Sequence, residues 1–154
     1  MFNLSLKEEV HQACIQKIQG QLDMLQNAIS QAKESLNSES KSSAGDKHET
    51  GRAMAQLELE KLGGQFESAR KLYQLADRLP FQTQLKTIKS GSLVLTENFV
   101  YYISIGLGKT NLKYQDKEIY TISPASPLAQ SILGLSKGEE YGLKGRTNQI
   151  LDCI

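Results

Sequence analysis

Apolar residues recur at Ile15, Ile18, Leu22, Leu25, Ile29, Ala32 and Leu36, in alternating steps of three and four. That spacing predicts a helix with a narrow heptad seam, and the positions around it are rich in Gln, Lys and Glu. Ser5 is the expected N-cap, with Glu8 and Glu9 in the first turn, where the helix dipole favours acids. Gly20 is a mild weak point. The pattern fails at Asn37 and gives way to a polar, serine-rich segment, Ser38–Glu49. A second seam follows at Ala55, Leu59, Leu62, Phe66, Ala69, Tyr73 and Ala76. It predicts a helix from Asp46 that Gly63-Gly64 weakens, marking a bend or a close helix crossing, and that Pro80 ends. Two heptad helices with a short connection fold back as an antiparallel hairpin. At 1.5 Å per residue, about 33 residues in each helix give an arm of roughly 50 Å.

From Phe81 the period changes. Ser92–Thr96 and Phe99–Ile105 read as strands joined by a turn at Glu97-Asn98, and Glu118–Ile122 reads as a third. Ser126 and Pro127 form a helix start, and Gly134 a helix stop. Short strands are expected around Glu140–Leu143 and Gln149–Cys153. The expected class is therefore α+β. A coiled-coil arm spans residues 1–79 with its tip at about 38–50, and an antiparallel-sheet domain with one short helix spans 80–154.

Composition changes this picture little. The chain has 154 residues, is 39% hydrophobic and 23% charged, and has a mean hydropathy of −0.40, as an ordinary globular protein does. No apolar run approaches the roughly 20 residues that span a bilayer. Lys7-Glu8-Glu9 follows the first few residues too soon for a signal-peptide core, so a cytoplasmic protein is expected. Cys14 and Cys153 lack CxxC spacing, and His11 and His48 complete no zinc set, so both thiols are expected reduced and buried. The net charge is +1 and no basic run is present, which argues against non-specific nucleic-acid binding and for a protein partner.

The chemistry-bearing residues sit in the polar segment. Asp46 and Glu49 are three apart, so on a helix they share a face with Cβ atoms roughly 5–6 Å apart. Two such carboxylates can contact one magnesium ion, which takes six oxygens, so the remaining ligands would have to come from a partner. A capping box, with Asp46 as cap and Glu49 bonding back, accounts for the same spacing. His48 is a candidate third ligand or proton shuttle, or simply an exposed histidine. Lys41, Lys47 and Arg52 are candidate contacts to phosphates or acidic surfaces, or only solvated charges. The tyrosines at 101–102 read as packing rather than as a base-stacking platform. No Ser/His/Asp triad, P-loop or Rossmann glycine pattern is present.

Gly45-Asp46-Lys47-His48-Glu49-Thr50 resembles the Gly-Asp-x-x-Glu-Asn tip of the bacterial Gre transcript-cleavage factors (GreA/GreB type). Ile29-Ser30-Gln31-Ala32-Lys33-Glu34 resembles their Ile-x-x-Ala-Arg-Glu, and Ser90-Gly91-Ser92-Leu93-Val94 their entry to the first strand of the second domain. Ile122–Leu128, Ile132-Leu133-Gly134 and Lys137-Gly138-Glu139-Glu140 are similar, in order and spacing, to their Ile-Ser-x-x-Ser-Pro, Leu-Gly and Lys-x-Gly-Asp series.

The resemblance implies an FKBP-like second domain and a transcription elongation factor that is not itself an enzyme. Such a factor acts as a monomer on RNA polymerase, places its coiled-coil tip in the secondary channel and touches nascent RNA only indirectly. Asp46 and Glu49 would then help the polymerase hold a shared Mg2+ and a water for cleavage of backtracked RNA. The sequence departs from the family at Lys47, Thr50 and Ala53, and by residues Ser35 to Ala44, expected as an additional loop. The alternatives are a non-cleaving secondary-channel regulator, a coiled-coil adaptor and, on the FKBP-like fold alone, a prolyl isomerase.

Overall fold

The structure, a computed structural model, describes residues 1–41 and 45–154, without the side chains of 39–48. Two long helices, α1 (Leu4–Lys41) and α2 (Gly45–Asp77), precede six strands and one short helix. The chain divides into two compact units, residues 18–73 and residues 1–17 with 74–154.

In the helical unit, every residue of both seams is buried or half-buried, with Ile18, Leu22, Leu62 and Ala69 buried most fully. Gln21, Leu25 and Ala28 of α1 line one groove with Lys61, Gln65 and Ala69 of α2, at similar distances along the chain from the connection, so the two helices run antiparallel. Three expectations change. The backbone N–H of Leu6 donates to Asn3 Oδ1 at 3.1 Å, so Asn3 and not Ser5 caps α1; Asn is as good a cap and stands one residue before Leu4. The loop expected over Ser35–Ala44 is helix as far as Lys41. Serine is only mildly unfavourable inside a helix, and tertiary packing of the seam, to which Leu36 belongs, outweighs that preference. Finally, α2 runs through Gly63-Gly64, and a Cβ at either glycine would meet nothing within 4 Å, so no close crossing requires them.

The other unit is built on a sheet ordered β3-β4-β2-β1-β6-β5. Its strands are β1 (Leu93–Thr96), β2 (Val100–Ile103), β3 (Gly108–Tyr114), β4 (Lys117–Ile122), β5 (Glu140–Leu143) and β6 (Arg146–Cys153), with α3 (Pro127–Ile132) between β4 and β5. The expected all-antiparallel sheet is in fact mixed, because β2 and β4 run parallel. The cause is β3, which the sequence reading passed over. It takes the outer position, and β4 returns antiparallel to it, between β3 and β2. The β3–β4 turn holds Gln115 and Asp116 at φ 47° and 64°, the double left-handed pair of a two-residue hairpin. Neither is glycine, so the usual turn signal is missing.

Strand alternation makes two cores. Leu93, Leu95, Val100, Tyr102 and Ile119 pack with Val10 of α1 on one face. Val94, Ile103, Ile150 and Cys153 pack with Ile132 of α3 on the other. The helix start expected at Ser126 is present, its hydroxyl accepting from Ala129 N at 3.2 Å. Cys14 and Cys153 are both free and buried, as expected. Among the described residues no helix is long and apolar enough to cross a membrane.

Candidate functional site

Two places concentrate polar chemistry: the start of α2 and the packing of α1 on the sheet. At the first, the expected pair falls at the second and fifth positions of α2. Glu49 and Arg52 are described and exposed. The side chains of Asp46, Lys41, Lys47 and His48, and with them the capping alternative, lie outside the described residues. Among the described residues no three His, Cys, Asp or Glu side chains group to hold a metal ion.

The second place was not reached by sequence reasoning. Lys7, His11 and Cys14 continue the α1 seam upstream of Ile18 in steps of four, three and four, and all three are buried. Each meets a polar group of the sheet unit. Lys7 Nζ donates to the Thr83 carbonyl at 2.8 Å. His11 Nδ1 and the Tyr102 hydroxyl share a hydrogen bond of 2.8 Å, and the imidazole stacks on Phe81 with centroids 3.9 Å apart. Cys14 Sγ and Ser104 Oγ are 3.5 Å apart. The signal was present, since these are seam positions occupied by polar residues, but a search for apolar periodicity starts the seam at Ile15.

Burial governs the protonation of this ladder. It lowers the Lys7 ammonium to about 8, with a further small push from Lys89 and an opposing one from Cys153. Burial also lowers His11, against the attraction of Asp77 and Glu8. It raises the Cys14 thiol and the Tyr102 phenol. Cys14 is therefore held as a thiol, not as the thiolate that would be a nucleophile. With the imidazole and phenol both cut off from solvent, the ladder fastens α1 to the sheet rather than meeting a substrate.

The motif series of the second half lies around α3. Ile122–Leu128 leads from β4 into that helix. Gly134 (φ 86°) donates its N–H to the Ile88 carbonyl at 2.8 Å, and Gly138 (φ 91°) lies in the turn before β5. These residues shape the backbone; their spacing follows from the caps and turns they form.

No protein-family model matches the chain, and no curated protein matches it. Among solved structures, it is similar to GreA factor homolog 1 (Gfh1) of Thermus thermophilus, at 20% identity and a TM-score of 0.37, over 91% of this chain and 94% of that one. It is also similar to Gfh1 of Thermus aquaticus, at 20% identity and a TM-score of 0.35, over 92% and 94%.

Proposed function

We propose that the chain is a transcription elongation factor that acts on RNA polymerase. It enters the polymerase's secondary channel with the turn between α1 and α2 and stimulates magnesium-dependent cleavage of backtracked RNA. The observation that carries this reading is the position of Gly45-Asp46-Lys47-His48-Glu49, at the first residues of α2 where two long paired helices turn back. An acidic pair displayed there supplies part of an octahedral site and leaves the rest to a partner's carboxylates and phosphates. On this reading Asp46 and Glu49 hold the shared Mg2+ and orient water, Lys41, Lys47 and Arg52 face the channel, and the chain alone is no enzyme. The second domain, FKBP-like on the resemblance, anchors the factor.

The test is a backtracked elongation complex supplied with Mg2+ and the full chain. Shortened RNA with wild type, lost with Asp46→Ala/Glu49→Ala, is the expected result. Unchanged RNA together with measurable polymerase binding would replace cleavage by the non-cleaving regulator, a role to which Lys47 and Thr50, both departures from the resembling tip, are suited. No binding to polymerase would remove both readings.

A further inference from the structure

The second face of the sheet is only partly covered. Ile132 of α3 packs over Val94, Ile103 and Ile150, while Tyr101 and Tyr120 on the same face remain half-exposed. Tyr102, one residue on, points to the opposite face and is buried against α1. Both tyrosines pack, as expected, Tyr102 in the core and Tyr101 beside Tyr120, where it stays half-exposed. Phe99, 37% exposed at the β1–β2 turn, completes a cluster of rings. Its centroid lies 6.1 Å from Tyr101 and 5.5 Å from Tyr120. A cavity of about 490 Å³ opens beside Phe99 and Tyr101, with Lys144 of the β5–β6 turn and Arg146 at the start of β6 on its rim.

The rim charges distinguish this surface. Lys109 and Lys113 at the sheet edge are both engaged by Glu118, at 3.2 and 3.3 Å. Lys144 and Arg146 are exposed and make no ion pair among the described residues. Free cations beside half-open aromatic rings complement a polyanion that carries flat bases: the cations meet phosphates, and the rings offer π-faces. We propose that this face binds single-stranded nucleic acid, with bases on Phe99 and Tyr101 and the backbone along Lys144 and Arg146; the contact is local and weak, as a net charge of +1 with no basic run requires. Glu97, whose charge acts on Tyr141 of the cavity wall, opposes the phosphates and limits affinity. This contact is independent of the helical tip and goes beyond the indirect RNA contact of the polymerase reading.

The test uses the full chain without polymerase. Fluorescence anisotropy follows a labelled ten-nucleotide uridine oligomer, an abasic oligomer of the same length and a labelled oligoglutamate peptide at low salt. Saturable uridine-oligomer binding is expected, weakened about tenfold by Phe99→Ala and also by removal of the bases. Two phosphate contacts give a slope near −1.4 in log affinity against log salt, which Lys144→Gln/Arg146→Gln abolishes. Glu97→Gln tightens binding. Arg146 is exposed, so its variant keeps the wild-type melting profile by circular dichroism, while Phe99→Ala, which loses ring packing, melts lower but is folded at the assay temperature. Absence of binding, equal binding of the abasic oligomer, or no effect of Phe99→Ala would overturn the proposal. A peptide that binds as tightly and is equally sensitive to Phe99→Ala would make the face a protein-docking surface instead.

Discussion

In residues 18–73 each helix contributes one stripe, and among the described residues only Ile18, Leu22, Leu62 and Ala69 are fully buried. In residues 1–17 with 74–154, strands bury side chains on both faces, and the core even holds a lysine and a histidine. The helical unit adds stability layer by layer, so each layer is worth little and is easily exchanged. In the sheet unit, shared neighbours make single changes expensive, because a dense core relaxes only partly around a gap.

The largest expected effect is a direct contrast between units. Ile119→Ala, at a fully buried site, should lower unfolding free energy by about 3–4 kcal/mol, whereas Ile29→Ala, half-buried in α1, should cost about half as much. Urea midpoints decide this, and equal losses would end the contrast. Next comes Lys7. Its folded value near 8 against 10.5 means that the unfolded chain holds a proton that the folded chain has released between those pH values. Stability should therefore rise with pH across about 8 to 10.5, by about 3 kcal/mol in all, and Lys7→Met should flatten that rise.

His11 acts in the same sense at lower pH. Its folded value lies below 6.5, so its contribution is complete above that pH and is lost as the pH falls toward the folded value. Thermal melts should show this acid limb in wild type and a shallower one in His11→Phe. The smallest effects concern glycines. Gly63→Ala and Gly64→Ala, facing open space, should each stabilise α2 by about 1 kcal/mol. Gly91→Ala should do the opposite, because its φ is +94° and a Cβ would lie 2.6 Å from Pro80 Cδ. Differential scanning calorimetry of the three variants separates a glycine the fold requires from two it does not.

Much of this division was legible in the residues. The seams at Ile18, Leu22 and Leu62 announced themselves because a two-helix contact leaves a regular apolar trace. The start of α3 was equally plain, since Ser126 and Pro127 act through local geometry. β3 was hidden because an edge strand of Lys, Thr and Asn has no apolar alternation, and its turn uses Gln115 and Asp116 where glycine is usual. The Lys7–His11–Cys14 ladder was hidden for another reason: its partners, Thr83, Tyr102 and Ser104, lie far along the chain. At the tip, the spacing of Asp46 and Glu49 was readable, but the helical course of Ser35–Lys41 was not, because serine enrichment is a composition signal that packing overrides.

One topological fact has a further consequence. Since the sheet unit takes residues 1–17 and resumes at residue 74, the helical unit is an insertion within it. The entropy of closing such an insertion grows only with the logarithm of its length. Whole heptads could therefore be added to or removed from both helices with little change in the stability of the sheet. Arm length is thus a trait that evolution or an engineer can vary almost independently of the domain that carries it.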